Sequence, residues 1–378
     1  MLSNQSIFRL VQYFLFPDTK RRYNWRLWKT RALPVAVVAV ALLSGCASLE
    51  YPLDVYLGPP GANRQTADSP AADTRSADTP AVDARAGAAA APHSFRWMPL
   101  YQGVDIVRFS RWDPPLQLWG ARIDLLAPGI SIVVTPSNGN RPLDTDGRTT
   151  ESFLNRTGVQ IAVNASPFAP VADTRGAPED IVGISAADGT VYSPPEGSGG
   201  ALVIDNTGRA WVVDQGALER SDAVQPGLTG SIRSAVGGFS VILRRGENLG
   251  SVDHRHPRTA AGVSADHRYL YLVVVDGRQL GWSVGVTTRE LAAWLSYLGA
   301  MDGLNLDGGG STALVAQDPN GRPLVVDSPI DRMVPGRLRV VGNNLGVRAA
   351  PLVAGREAAD AALRGTLRHI IADPRALR

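Results

Sequence analysis

From Val104 onward the chain is written in short β-branched runs, each closed by Gly, Pro, Asn or Asp, and this texture restricts the fold more than any other feature. Residues 104–109, 116–125, 130–134, 160–164, 201–204, 210–213, 241–243, 260–263 and 269–275 read as strands. Asp188-Gly189, Asn206-Thr207-Gly208 and Ala265-Asp266-His267 fit hairpin turns between them. Two helices interrupt the pattern. Thr287 with Glu290 three residues on forms a capping box, Leu291, Trp294, Leu295 and Leu298 share one helical face, and Gly299 ends it. Glu290 is thereby a cap rather than a catalyst. A second, Ala- and Arg-rich stretch lies at residues 357–371. No long internal repeat is visible, which argues against a propeller or solenoid. The expected fold class is α+β: a single β-rich globular domain of mixed or antiparallel sheets with a few helices.

Composition supports a packed domain. The chain has 44% hydrophobic and 19% charged residues with 39 Gly and 27 Pro, which suits a turn-rich globular protein and not a disordered one. A net charge of +3 is small for 378 residues, and much of the basic character sits in the first thirty-one positions. No nucleic-acid partner is implied.

The single cysteine, Cys46, excludes an intramolecular disulfide. Ahead of it lie Lys20, Arg21, Arg22, Arg26, Lys29 and Arg31, then an apolar stretch over 32–43, the layout of a secretory signal. The apolar stretch is shorter than the ~20 residues a spanning helix requires. Leu43-Ser44-Gly45-Cys46 resembles the bacterial lipobox, which implies lipidation at Cys46, a membrane partner through that anchor, and a place in the cell envelope. Ala47 after the cysteine implies the outer membrane, facing the periplasm. The length ahead of Lys20 is consistent with a translation start downstream of Met1. Residues 62–92 repeat Ala/Asp/Pro/Ser themes that bury little apolar area and read as a flexible tether. The resulting division is 1–46 signal with lipobox, 47–93 tether, 94–352 globular domain and 353–378 a helical C-terminal extension.

Four segments carry candidate chemistry. In Asn305-Leu306-Asp307-Gly308-Gly309-Gly310-Ser311-Thr312, residues 304–306 read as a short strand, residues 312–315 as its continuation, and Asp307 ends the first beside a turn of amides. Those amides and the Ser311 and Thr312 hydroxyls suit phosphate or sugar oxygens, as a backbone nest does. A plain Gly-rich hairpin is the competing reading. In His256-Pro257-Arg258-Thr259-Ala260-Ala261-Gly262 the planar fork of Arg258 suits a phosphodiester, against the alternative of a surface ion pair. His256 either fixes the turn or acts as acid or base. Asn164, in Val163-Asn164-Ala165-Ser166-Pro167-Phe168, offers an amide to a sugar hydroxyl or simply forms a turn. Arg339-Val340-Val341-Gly342-Asn343-Asn344-Leu345-Gly346-Val347 adds another Arg and Asn around a strand, which alone means nothing.

Together and in this order the four segments resemble the phosphodiester glycosidase family, over about residues 105–347. Family patterns of the type Asn-small-small-x-Phe, Pro-Arg-Thr-Ala-x-Gly, Leu-Asp-Gly-Gly-Gly-Ser and Arg-x-x-x-Asn-x-Leu-Gly-Val correspond to residues 164–168, 257–262, 306–311 and 339–347. Leu338 and Val340 replace an acid and a proline that relatives often show. The resemblance implies cleavage of the bond between a sugar's anomeric carbon and a bridging phosphate, with a glycan or sugar-phosphodiester substrate and no cofactor or metal. On that basis Asp307 is the carboxylate facing the anomeric carbon, as nucleophile or general base. Arg258 and Arg339 then grip the phosphate, while Asn164, Thr259, Asn343 and the turn Gly308, Gly309, Gly310, Ser311 and Thr312 line the substrate site. Asp276, in Asp276-Gly277-Arg278, and Asp302 are the candidates for a second carboxylate. Two rivals stand beside this reading. One is a phosphodiesterase with a hard cation on Asp276, Asp302 and Asp307. The other is a non-catalytic envelope protein that binds glycan phosphates.

Overall fold

Left-handed residues sit where the hairpins turn. Asp188 (φ 46°) and Gly189 (φ 81°) both adopt positive φ, the geometry that closes the hairpin between Ser185–Ala187 and Thr190–Ser193. The computed structural model describes residues 96–219, 232–353 and 355–371; the signal, Cys46 and the tether over 62–92 lie outside them.

An eight-stranded sheet runs in the order Met98–Tyr101, Val104–Trp112, Pro115–Asp124, Tyr269–Val275, Arg258–Val263, Asp302–Asn305, Ser240–Arg244, Glu247–Asn248, with every neighbouring pair antiparallel. Tyr269–Val275 lies in its middle and is covered on both faces. Leu270, Leu272 and Val274 enter the main core, while Tyr271, Val273 and Val275 pack with Trp294 and Leu295 of the helix Thr288–Leu298. Burial on both sides is why this strand reads as an unbroken apolar run. Three further antiparallel sheets complete the domain. One is Pro323–Val325, Leu314–Gln317, Ile161–Asn164, Asn344–Arg348, Ser131–Val134, and a second is Thr190–Ser193, Ser185–Ala187, Ile232–Gly238, Gly200–Asp205, Ala210–Asp214. The smallest is Thr145–Asp146, Pro178–Ile181, Phe168–Ala169. An α+β class with antiparallel sheets is what the pattern of short runs predicts.

The capping box expected at Thr287 forms: the Thr287 hydroxyl accepts from the Glu290 amide at 3.2 Å, and the Glu290 carboxylate accepts from the Thr287 amide at 2.8 Å. The other carboxylate oxygen of Glu290 pairs with Arg255 at 2.8 Å, tying the loop before Arg258 to the helix. Two helices escape the periodicity. Thr150–Thr157 is capped by Thr149 and ended by left-handed Gly158, but it buries only Thr150, Phe153 and Leu154, too few for a stripe. Gln215–Glu219 is shorter still. The C-terminal helix Arg356–Ile370 inserts Leu363, Leu367 and Ile370 into the main core. Two of its terminal carbonyls are satisfied from the large sheet: Trp119 donates to the Ile370 carbonyl at 2.6 Å and Arg108 to that of Ile371 at 2.7 Å.

Candidate active site

The strand expected over 304–306 runs Asp302–Asn305 and stops one residue earlier. The chain then enters a single 3-10 turn, Gly309–Ser311, in place of a continuing strand, and pairing resumes only at Leu314–Gln317. Gly309 has φ +63°, and a β-carbon at Gly310 would lie 2.3 Å from an Arg339 guanidinium nitrogen, so the turn is built for glycine. Four of the five turn amides expected to form an anion nest are already engaged. The Gly308 amide donates to Asp307 Oδ1 at 2.8 Å and that of Gly309 to the Pro257 carbonyl at 2.8 Å. Those of Ser311 and Thr312 donate back to Gly308 and Gly309. Tightness engages these four amides within the protein and leaves the side chains around the turn as its main polar surface.

Three arginines converge on the turn. Arg339 lies against Gly310, donating to Asp331 at 2.8 Å and to the Ser311 hydroxyl at 3.3 Å. Arg258, beside Gly308, pairs with Asp253 at 2.8 Å and donates to the carbonyls of His254 and Val286. The ion pair considered for Arg258 therefore exists, and part of its charge is already balanced. The third arginine is Arg278, which no sequence pattern singles out. Its guanidinium lies 3.2 Å from where a Gly309 β-carbon would stand, and its backbone is left-handed at φ 57°. Arg278 donates to His256 Nδ1 at 3.3 Å from Nε and contacts it at 3.1 Å from Nη2. Among the described residues it has no carboxylate within ion-pair distance. Burial and the neighbouring Arg339 and Arg258 push its pKa down, and burial together with the two arginines Arg278 and Arg258 pushes His256 to about 4. His256 is therefore neutral at physiological pH. Its Nδ1 accepts from Arg278 and steadies the guanidinium, which is a different task from acid catalysis.

Asp307 stands at the centre of this cluster. Its carboxylate accepts from the Gly308 amide and the Ser311 hydroxyl. Burial raises its pKa to about 6, against the opposing pull of those two donors and of Arg339. Its backbone is clamped: the Asp307 amide donates to Ala165, and the Asn164 side chain donates to the Asp307 carbonyl at 2.7 Å. The Asn164 oxygen in turn accepts from the Thr259 hydroxyl at 2.6 Å and from the Ala313 amide at 3.2 Å. Asn164 and Thr259 are wholly buried, so they tie two strands to the two ends of the turn and do not face a sugar. Asn343 is also buried and donates to the Ser166 and Ser185 hydroxyls. The Thr312 hydroxyl is buried as well, without a partner among the described residues. Asn164, Thr259, Thr312 and Asn343 thus lie under the site instead of lining it.

The two candidates for a second carboxylate fare differently. Asp302 begins the strand that Asp307 follows, and five residues of extended chain put it about 16 Å from Asp307. There it receives the Arg245 amide and approaches Arg244 at 3.9 Å. Asp302 is no part of the site, and the three-aspartate cation site that included it is not assembled. No group of three or more His, Cys, Asp or Glu gathers at ion-binding distance among the described residues. Asp276 is at the right end of the sheet, two strand spacings or about 10 Å from Asp307 in the ladder. It is nonetheless buried, accepting from Trp282 at 2.6 Å and from the Ser328 amide at 3.1 Å.

Beside Asp276 lies a second buried acid, Asp327, which accepts from the Leu314 amide at 2.9 Å. Burial lifts Asp276 to about 7, and burial together with the Asp276 charge lifts Asp327 far above the usual range. Because folding raises both values, the pair favours the fold fully at pH below about 4 and loses that contribution as pH climbs past 7. An Asp327→Asn chain is therefore expected to melt higher than the parent at pH 8 by about 4–8 °C, a gain of about 2 kcal/mol, and to lose that advantage at pH 4. Paired thermal melts across pH 4–8 measure it, and a gain independent of pH would refute the assignment.

Three proteins stand among the solved structures of similar fold. A Burkholderia pseudomallei protein described as exported shares 19% identity with TM-score 0.48, over 62% of this chain and 74% of the other. A Synechocystis protein of undescribed function shares 15% with TM-score 0.48, over 69% of this chain and 64% of that one. The zebrafish N-acetylglucosamine-1-phosphodiester α-N-acetylglucosaminidase catalytic domain, auto-inhibited by its pro-peptide, shares 19% with TM-score 0.49, over 66% of this chain and 84% of that one. No curated protein matches in sequence. The phosphodiester glycosidase family model matches residues 157–348, just over half of the chain. That span contains Asn164, the three arginines and the Asp307 turn, and by it the chain belongs to the phosphodiester glycosidase family.

Proposed function

We propose that this protein is an exported hydrolase that cleaves the bond between a sugar's anomeric carbon and the oxygen of a phosphate diester. The observation that carries the reading is Asp307, a partly desolvated carboxylate at the head of a turn whose Gly309 lies against Arg278, a cation with no carboxylate in ion-pair distance among the described residues. The chemistry divides accordingly. Arg278, with Arg258 and Arg339 behind it, holds the phosphate and offsets the charge that gathers on it as the C–O bond breaks. Asp307, ionised above pH about 6, supports the developing oxocarbenium ion as nucleophile or by drawing a proton from water. The anomeric carbon gains the water oxygen, while the phosphate monoester leaves with the bonding electron pair. A phosphate spreads that charge over several oxygens, so the site needs no strong acid beside the leaving group.

Hydrolysis in 18O-labelled water tests the reading. Label in the freed sugar and none in the phosphate monoester is the expected result; label in phosphate, or release of a sugar 1-phosphate, makes the protein a phosphodiesterase instead. Binding without turnover makes it a receptor. Arg278→Met is expected to lower kcat/KM about a hundredfold with the melting temperature unchanged, since the guanidinium forms no ion pair among the described residues and the loss falls on transition-state charge. Steady-state kinetics on any cleaved phosphodiester measures this.

The signal-like basic and apolar segments and the Leu43 to Cys46 lipobox support export and a lipid anchor on the envelope. Radioactive fatty-acid labelling that survives Cys46→Ala would remove the anchor from the proposal. Capsule or exopolysaccharide glycans and lipid-linked sugars are the substrates such a position would offer.

A further inference from the structure

The three arginines share a second kind of neighbour. Each has exposed apolar side chains close by in sequence, either to itself or to the aspartate that holds it. Leu280, 76% exposed, stands two residues past Arg278; Val252, 75% exposed, immediately precedes the Asp253 that pairs with Arg258. Met333, 62% exposed, and Val334 follow the Asp331 that pairs with Arg339. Val171 is exposed on the adjoining loop, which is tied in by the ion pairs of Asp173 with Arg332 and Arg337. Scattered exposed aliphatics are ordinary; five on the short segments that carry Arg278 and the aspartates of Arg258 and Arg339, with the loop tied to them, are not. The backbone supports this. Arg278, Arg332 and Met333 all hold positive φ, at 57°, 50° and 61°, a conformation that side-chain-bearing residues avoid unless their surroundings require it. The surrounding structure holds these segments in fixed, solvent-facing conformations next to the arginine cluster.

Water gains nothing from such a rim, and a purely sugar-like ligand would leave it wet. The ligand chemistry that matches both halves is an anionic phosphate carrying an apolar arm. We infer that the site selects sugar-1-phosphodiesters whose second ester arm is a hydrocarbon chain, which lies along Leu280, Met333, Val334, Val171 and Val252 while the arginines hold the phosphate. The inference rests on the glycosidase reading for the sugar half only; the apolar arm is a property of the leaving group and is tested without catalysis.

The test titrates the full-length protein with ethyl phosphate and octyl phosphate, calorimetrically and below micelle-forming concentration. Octyl phosphate is expected to bind about a hundredfold tighter, since each fully buried methylene is worth about fourfold and the rim covers the chain on one side. A Leu280→Ser/Met333→Ser double variant should lose most of that advantage and bind ethyl phosphate as the parent does. Equal affinity for the two phosphates overturns the inference. So does a chain-length preference that the double variant retains, and so does binding to phosphatidylcholine vesicles with no preference between the phosphates, which would make the rim a membrane-docking surface. None of these results touches the 18O experiment: a protein that cleaves ethyl and octyl diesters equally remains a glycosidase with no apolar subsite, and one that binds octyl phosphate tightly but cleaves nothing keeps the subsite and loses the glycosidase reading.

Discussion

An Asp307→Asn chain is expected to fold as the parent does and to lose sugar-1-phosphodiester hydrolysis by about a thousandfold or more. Asparagine keeps an oxygen to accept the Gly308 amide and the Ser311 hydroxyl, so the turn survives. What disappears is the negative charge that the proposed mechanism sets against the anomeric carbon, and catalytic carboxylates contribute factors of about 10² to 10⁴. The pH dependence sharpens the test. Burial raises the Asp307 pKa to about 6, so the active, ionised form dominates above that value, and kcat/KM should fall about tenfold per pH unit below it. In the variant this limb should vanish from any residual activity. If Asp307→Asn turns over at the parent rate, or if the parent is most active at pH 4, another group does the work assigned to Asp307.

Asn164→Ala should be comparably damaging by a different route. One amide ties its own strand to the neighbouring strand and to both ends of the turn, receiving the Thr259 hydroxyl and the Ala313 amide and donating to the Asp307 carbonyl. Truncation leaves these buried groups unpaired at about 1–3 kcal/mol each, and the site is too tightly packed for water to replace a side chain there without rearrangement. The expected outcome is a loss of about 3–5 kcal/mol in unfolding free energy, together with a fall in kcat larger than any rise in KM, because Asp307 is displaced while the arginines keep their own supports. Chemical denaturation read beside steady-state kinetics separates the two effects. A variant that loses stability but keeps kcat would show that Asn164 holds the fold and not the carboxylate.

The contrast between these residues explains how far sequence reasoning reaches. Asp307 draws attention in sequence because the Pro257-Arg258-Thr259 and Asn164 segments come with it in family order; the carboxylate ahead of three glycines by itself leaves a plain hairpin open. The strands are legible because double-sided burial writes itself as β-branched runs, most plainly at Tyr269–Val275. Other features live in three dimensions only. Arg278 looks like the tail of a turn, and its value comes from lying under Gly309 with a histidine for a partner in place of a carboxylate. Asp302 draws attention by being five residues from Asp307, yet a strand converts short sequence distance into opposite ends of a sheet. The turn amides look free because nothing in a glycine triplet says whether its N–H groups point outward; here Pro257, Asp307 and the turn itself take four of the five. Asn164 is drawn to the sugar in sequence because a side-chain amide suits either a ligand hydroxyl or a protein one, and only burial decides.

The C-terminal helix Arg356–Ile370 closes onto the beginning of the domain: its final carbonyls are taken by Trp119 and Arg108, and its Thr366 hydroxyl donates to the carbonyl of Pro99. Strands formed early in synthesis therefore wait for partners made last, and the large sheet has one edge of its core uncovered until residue 371 arrives. Folding of this kind is slow to commit, because its decisive contacts span most of the chain. A polypeptide that cannot close prematurely remains threadable through a narrow channel while it is being made, and it also exposes apolar strands for longer than a locally folding protein would. The late arrival of this one helix thus sets both how long the chain stays open and how long its apolar strands stay uncovered.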